Sequence, residues 1–336
     1  MNLNKFSKLI IIFLLTVLGY SISPSTVSAV TLSPTRFELQ GNPGDVLEYE
    51  ISIINESQKT EIYYVSYSNF EAQGESGDPA FTPGTDGLST WIKMNDTTVG
   101  VGPQEEKKVP FKINIPKDAT PGGHFAVVFF GNQPPSLDGR AVGVGSQAGV
   151  LMLLSVGGDV KQEAGVYDFN TFKKQFFFKT LPVNFEYRLK NDGGDRVKPD
   201  GKIRIHNTLF IPTKSIDANT TSGNVLPNST RKYNSTWVEY ERLPDYLAPN
   251  GFFARFWDNV VYEWKNFALG FYTANLRVEY GIAKTSDWTF FFVFPWELTI
   301  VLIIVLSQVY FVGKKLIKKY NRYIIAKARE TINQSK

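Results

Sequence analysis

Apolar and polar residues alternate along most of the chain between residues 30 and 293. Leu47 to Ile53 alternates apolar side chains with glutamate and serine, and Val109 to Ile115 repeats the pattern with proline, lysine and asparagine. A period of two with β-branched and aromatic residues predicts half-buried β-strands. Turn clusters rich in Gly and Pro separate them, as at Thr120–Gly123. We therefore predict an all-β fold of immunoglobulin-like β-sandwiches.

The strand pattern recurs in the second half of the chain. Leu47–Asn55 (LEYEISIIN) is echoed by Phe185–Asn191 (FEYRLKN), and the turn at Val101–Pro103 is echoed at Val225–Pro227. This self-comparison predicts two tandem sandwiches, with an insertion of about 23 residues in the second. Their predicted bounds are residues 30–160 and 165–293.

A helical period marks the insertion, at about residues 240–268. Its apolar residues fall at i, i+1, i+4, i+5, i+8, i+9 and i+12, which predicts an amphipathic helix with Asn250 as its N-cap. The apolar face either packs onto the second sandwich or docks on the outer leaflet of a membrane or on a partner. This candidate docking face consists of Phe252, Phe253, Phe256, Trp257, Val260, Val261 and Trp264.

The N-terminus carries an export pattern. Lys5 and Lys8 precede an apolar run too short to span a bilayer, and small residues follow at Val27–Ala29. This pattern is typical of a secretory signal peptide, which we assign to residues 1–29.

The C-terminus carries an anchoring pattern. Residues 294–312 are apolar except for Glu297, and the basic tail 313–336 follows. This pattern predicts a single-pass membrane helix that crosses the lipid bilayer, with the sandwiches on the cell surface and the tail in the cytoplasm. We expect Glu297 in the outer headgroup layer. Because Trp288 to Phe292 forms the last predicted strand, the second sandwich should lie close to the bilayer.

The net charge of +4 belongs to these two ends. The signal segment carries two lysines, and the tail carries eight Lys or Arg residues against one Glu, which leaves about −5 for residues 30–312. The basic balance is therefore no nucleic-acid signature, and we expect no nucleic-acid partner. The tail is instead suited to attract anionic lipids of the inner leaflet.

The composition disfavours catalysis. The chain has 336 residues, no Cys and two His, which excludes thiol chemistry and leaves little for metal or triad sites. HExxH, GxSxG and P-loop motifs are absent, and His124 and His206 are expected at strand edges. The turn residues Asn191, Asp195 and Asp200 lack the spacing of a calcium loop. We predict no catalytic residue, cofactor or metal, although a glycosidase needs only two carboxylates, which leaves a cell-wall hydrolase as an alternative.

Aromatic residues on one predicted strand offer a candidate contact surface. Tyr63, Tyr64 and Tyr67 could stack on the faces of cell-wall sugars or contact a partner protein. They could equally form core or cross-strand pairs, and the sequence leaves both possibilities open.

Several segments resemble one family of Gram-positive surface proteins. The opening Val30–Leu39 (VTLSPTRFEL), the Gly44–Asp45 turn, the turn containing Pro103 and the Pro121–Gly123 turn are similar to the first domain of the WxL-interacting proteins. The resemblance implies two immunoglobulin-like domains, a first domain that contacts peptidoglycan and a second that holds a WxL-type surface protein. The aromatic insertion departs from that family's pattern.

The domain pair and opening strand also resemble periplasmic pilus chaperones. In that family a basic residue of the first strand grips the terminal carboxylate of a subunit, a position that Arg36 could match. An outward-facing strand residue is the alternative for Arg36. We hypothesise a non-enzymatic, membrane-anchored adaptor or adhesin that binds cell-wall glycan or another surface protein. A chaperone-like protein or a structural subunit of an envelope complex is the alternative.

Overall fold

The computed structural model describes residues 30–134, 146–242, 244, 249–281 and 283–334. The predicted signal peptide lies outside these residues. The chain forms two compact units. The first comprises the described residues up to Glu71 together with Pro79–Val160, and the second comprises Ala72–Asp78 and the described residues from Lys161 onwards.

The first unit contains ten strands and one short helix among its described residues. They are β1 (Val30–Ser33), β2 (Arg36–Gly41), β3 (Val46–Asn55), β4 (Glu61–Gln73), β5 (Asp78–Pro83), α1 (Gly87–Trp91), β6 (Ile92–Met94), β7 (Thr98–Val101), β8 (Glu106–Asn114), β9 (Gly122–Gly131) and β10 (Gln147–Val156).

These strands form two facing sheets. One sheet has the order β1-β3-β8-β6, and the other has the order β2-β10-β9-β4-β5 with β7 also pairing with β4. The predicted alternation holds, since Ile51 and Ile53 of β3 and Phe111 and Ile113 of β8 all point into the core between the sheets. The all-β prediction is confirmed for this unit.

The second unit contains eight strands, a 3-10 turn and two helices among its described residues. They are β11 (Ala164–Thr171), the turn Phe172–Lys174, β12 (Phe177–Phe178), β13 (Val183–Asn191), β14 (Asp200–Asn207), β15 (Pro212–Asp217), β16 (Ser229–Trp237), α2 (Phe252–Lys265), β17 (Gly270–Tyr280), β18 (Ala283–Val293) and α3 (Trp296–Gln334).

The two units repeat one immunoglobulin-like topology. Sheet β11-β13-β16 corresponds to β1-β3-β8, and sheet β12-β18-β17-β14-β15 corresponds to β2-β10-β9-β4-β5. In each unit the opening segment first pairs antiparallel with one sheet (β1 with β3, β11 with β13) and then parallel with the last strand of the other (β2 with β10, β12 with β18). The predicted pair of tandem sandwiches is therefore confirmed.

A buried asparagine ends the corresponding strand in both units. Asn55 and Asn191 are completely buried. The Oδ1 atom of each accepts a hydrogen bond from the backbone N–H two residues later, at 3.0 Å. The Nδ2 atom of each donates to the carbonyl four residues later, at 2.7 Å, and to a valine carbonyl in a distant turn, Val101 or Val225. The echoed residues of the sequence thus make the same contacts.

α3 follows the last strand after only two residues. Its segment Trp296–Ile325 is 30 residues long and contains a stretch that is long and apolar enough to cross a membrane, in line with the predicted membrane helix. At 1.5 Å per residue the segment is about 45 Å long, more than the roughly 30 Å hydrocarbon core of a bilayer. The side chains described within it lack protein cover beyond its first turn, so it is no core helix. The helix continues through most of the basic tail, to Gln334.

Candidate functional site

The strand register brings several segments of the second unit to one end of its five-stranded sheet. Gly270 of β17 pairs with Val293 of β18, and Asn207 of β14 pairs with Tyr272 of β17. α3 begins at Trp296, three residues after β18 ends. The start of β17, the β14–β15 turn and the start of α3 therefore share one end of the sheet, which we call the anchor end.

The β14–β15 turn presents three consecutive large apolar side chains at the anchor end. Leu209 is 74% exposed and Phe210 is 78% exposed, and Ile211 is also exposed. Asn207 fixes the turn, because its Oδ1 atom accepts hydrogen bonds from the backbone N–H groups of Leu209 at 3.0 Å and Ile211 at 3.1 Å. Phe210 has a φ of 57°, a left-handed conformation that is uncommon for a bulky residue. The turn is therefore an ordered apolar tip.

α2 packs against the first turn of α3 through polar groups. The backbone N–H of Leu298 donates to the Oε2 atom of Glu263 at 2.7 Å, and Asn259 donates to the Oε1 atom of Glu297 at 3.3 Å. At its C-terminus, Asn266 accepts from the backbone N–H of Tyr240 at 3.0 Å. The helix thus lies at the anchor end, tied to both α3 and the sandwich.

The predicted amphipathic helix exists, but most of its apolar face is not buried on the sandwich. Among the seven predicted face residues, only Val260 is buried and Phe256 half-buried. The exposed ones are Phe252, Phe253, Trp257, Val261 and Trp264. Gly251, not Asn250, is the N-cap, and it makes no side-chain capping hydrogen bond. Asn250 therefore does not close the helix as expected.

A buried carboxyl pair lies beneath α2. Glu263 and Glu297 are 2% and 6% exposed. Burial first, and then the hydrogen bond with the Glu297 carboxyl, together raise the pKa of Glu263 to about 8. The Oε2 atom of Glu297 has no partner among the described residues. Glu297, the only acid of the segment Trp296–Ile325, is therefore covered by α2.

A second candidate feature is an open sheet edge in the first unit. β2 pairs with β10 from Leu151 to Val156 only, so no described strand is hydrogen-bonded to Gln147–Val150 on that side. The backbone N–H of Leu151 donates to the Thr35 carbonyl on the β2 side, at 3.1 Å. The N–H and C=O groups of successive residues in a strand point alternately to its two sides. The backbone groups of Gln147 and Gly149 therefore point to the same side as the Leu151 N–H, the side on which β2 pairs further along. They form a short unpaired ladder.

The structure places the tyrosines of β4 unevenly. Tyr63 is 2% exposed and belongs to the core, so it offers no ring surface to a glycan. Tyr67 is half-buried against the core, and burial raises its pKa. Tyr64 is half-exposed, on the opposite face of the strand. Arg36 lies on β2 and forms an ion pair with Glu38, Nε to Oε1, at 3.0 Å.

The remaining polar candidates have structural partners. The Asn191 side chain forms hydrogen bonds with backbone groups, among them the Asp195 carbonyl. The backbone N–H of Arg196 donates to the Asp195 carboxylate at 2.7 Å. These residues border a cavity of about 390 Å³ in the second unit. His124 contacts the Thr120 carbonyl at 2.8 Å and the Trp91 ring. Within the described part of the chain, no group of three or more acidic or His side chains could hold a metal.

Comparison with solved structures finds similar folds among fimbrial chaperones. The class 5 fimbriae chaperone CfaA is 12% identical with a TM-score of 0.36, over 78% of this chain and 99% of that chain. The CsuC–CsuE chaperone–tip adhesion subunit complex of Acinetobacter baumannii is 10% identical with a TM-score of 0.35, over 78% and 98%. The E. coli chaperone DraB is 10% identical with a TM-score of 0.33, over 79% and 97%. Such weak similarity carries no argument about activity or partner.

No protein-family model matches the sequence, and no characterised protein matches it. The resemblance to WxL-interacting proteins therefore gains no support. Several of the structural matches are pilus chaperones, the class of the second resemblance, and others are not, such as a PapD-like domain of human CEP192.

Proposed function

We propose that the protein is a membrane-anchored, non-enzymatic binding protein that displays two immunoglobulin-like domains outside the cell and holds another surface protein by strand addition. The open edge of β10 at Gln147–Val150 carries the proposal. An extended partner segment could add there as a further strand, with main-chain hydrogen bonds to Gln147 and Gly149. The apolar helix α3 supplies the anchor.

The composition of the edge supports this role. Exposed edge strands are usually protected from pairing by charges or proline. The free side of β8 carries Lys107, Lys108 and Pro110, and the edge strand β5 begins with Asp78 and ends with Pro83. The segment Gln147–Val150 has no charge and no proline. It is the unprotected edge among these three.

The inner side of the open edge is apolar. Val150 is buried, and Ala148 packs against the core of the first unit. An added strand that alternates apolar and polar residues could therefore extend both the hydrogen-bond ladder and the core. Such a partner is either a complete surface protein offering an edge strand or a subunit whose own sheet lacks a strand. The second case corresponds to the chaperone-like alternative.

Glycan binding has less support from the structure. Of the three candidate tyrosines, Tyr63 is buried, Tyr67 packs partly against the core, and Tyr64 is half-exposed on the opposite face of β4, so together they offer only a small stacking surface. Retention of soluble peptidoglycan fragments by the full chain, abolished by Tyr64→Ala, would favour this second candidate.

Photo-crosslinking in host membranes tests strand addition. A photoreactive amino acid at Thr35, an exposed residue beside the open edge, should trap the partner in the full-length protein. Gln147→Pro removes one edge N–H at the first residue of β10, where proline is tolerated, so the adduct should fall several-fold. Gln147→Ala keeps the N–H and should retain the adduct. An adduct unaffected by proline, or absent from all variants, would refute the proposal.

A further inference from the structure

We propose that the anchor end of the second unit is seated in the bilayer interface, with α2 and the β14–β15 tip in contact with lipid. The surface is the unpartnered apolar face formed by the exposed residues of α2 and by the tip Leu209–Ile211. We propose that this surface contacts the same bilayer that α3 enters. The inference goes beyond the proposed function, because it concerns how the domain is held and not what it binds.

Position is the first argument. The strand register places the tip at the same sheet end from which α3 leaves, and the Oγ1 atom of Thr208 donates to the Phe271 carbonyl at 3.1 Å. α2 contacts Glu297 and Leu298 in the first turn of α3. Only Phe294 and Pro295 separate β18 from α3. A bilayer that surrounds α3 therefore begins next to both elements.

The arrangement of α2 is the second argument. At 3.6 residues per turn, Phe253, Trp257, Val261 and Trp264 fall within an arc of about 80° on the helix surface. All four are exposed, Trp257 by 54% and Trp264 by 65%. A helix with one aromatic and aliphatic face that lies beside a membrane entry point has the form of an interfacial helix. Tryptophan is enriched at this level of membrane proteins.

The polar side of α2 is consistent with this placement. Arg242 forms an ion pair with Asp258 of α2, Nη2 to Oδ2, at 3.0 Å, and the Asn266 side chain accepts a hydrogen bond from the Tyr240 N–H. The polar side of α2 therefore contacts the segment that follows β16. Glu297, which would be costly in lipid, is covered by α2. The Lys179 ammonium lies 5.8 Å from the centre of the Trp296 ring, near the level at which lipid phosphates would lie.

The ordered tip is the third argument. A solvent-exposed run of Leu, Phe and Ile is unfavourable in water, and a flexible loop could fold it back. Here Asn207 holds the turn open, and Phe210 keeps a left-handed backbone conformation. An ordered turn that projects three apolar side chains towards the anchor end suits insertion into the headgroup region.

Single-cysteine fluorescence tests the proposal on the full chain, which has no natural Cys. The chain is reconstituted at one copy per nanodisc of phosphatidylcholine and phosphatidylglycerol, so that a second copy cannot cover the surface. An environment-sensitive nitrobenzoxadiazole label is placed by Phe210→Cys or Trp257→Cys. Ser286→Cys is the matched control, exposed on β18 about 24 Å from its anchor end.

Lipid contact predicts a blue shift and a loss of iodide quenching at positions 210 and 257, relative to position 286. Doxyl-labelled phosphatidylcholine carrying the quencher near the headgroup should quench both labels and spare the control. Iodide quenching of either label as strong as at position 286 would overturn the proposal, and would leave a protein partner as the occupant. The β10 edge is untouched by these variants, so failure here is distinguishable from failure of the proposed function.

Discussion

Removing the buried asparagine of one sandwich should destabilise that sandwich selectively. Asn191→Ala deletes two donated hydrogen bonds and one accepted bond, and leaves the buried Gly193 N–H without its partner, whereas the Val225 carbonyl keeps the bond from the Val197 N–H. A net loss of about 1 kcal/mol per hydrogen bond, with added desolvation for the abandoned groups, amounts to roughly 3 to 5 kcal/mol. The corresponding change Asn55→Ala should have a similar effect on the other unit.

The assay must resolve the two units. Hydrogen exchange read by peptide mass spectrometry in urea reports the opening of each sandwich separately. Asn191→Ala should lower protection in β13 and β16 and leave β3 and β8 unchanged, and Asn55→Ala should do the reverse. Asn275→Ala, an exposed asparagine of β17, is the matched control and should change stability by less than about 0.5 kcal/mol.

Two results would refute this reasoning. The first is equal stability of Asn191→Ala and Asn275→Ala, which would show that water replaces the lost partners at no cost. The second is opening of the same unit by both buried-asparagine variants, which would show that the two contacts are not equivalent.

Two further predictions concern the second unit. The raised pKa of Glu263 means that the folded state holds a proton that the unfolded chain releases; its stabilising contribution is full below about pH 4 and is lost as the pH rises to about 8. Glu263→Gln should flatten this pH dependence of urea unfolding, and Glu241→Gln at an exposed site should leave it nearly unchanged; equal profiles in both variants would contradict the assignment. Gly201→Ala places a Cβ atom against the Arg277 carbonyl and should cost about 1 to 3 kcal/mol, whereas Gly165→Ala meets open space and should be nearly neutral; equal melting temperatures would contradict the contact.

The strands and the duplication could be predicted because both are written in local patterns. The period of two identified β3 and β8, and the echo of Asn55 at Asn191 reflects the same loop-closing contacts in both units. The same period also places Tyr63 and Tyr67 on the inner face of β4, with Tyr64 outward. Val65 shows which face is buried, because it lies two residues from both Tyr63 and Tyr67 and therefore shares their side of the strand.

The site features could not be predicted because they depend on what lies next to each element. Helical spacing shows which residues of α2 share a face, but not that the sandwich leaves Trp257 and Trp264 uncovered. The apolar run Leu209–Ile211 is indistinguishable from strand residues in sequence, and its only local signal is Asn207, a residue that favours turns. The open edge of β10 exists because β2 begins to pair only at Leu151, and the sequence does not show which strands pair or in which register.

Both proposals require that α3 anchors the chain in the membrane and that both sandwiches lie outside the cell. A membrane-impermeant maleimide applied to intact cells that express single-cysteine variants tests this directly. Ser286→Cys in the second sandwich should be labelled at once, and Ser335→Cys in the tail only after the membrane is permeabilised. Labelling of the tail in intact cells while position 286 is protected, or recovery of the full chain in the soluble fraction, would contradict the account.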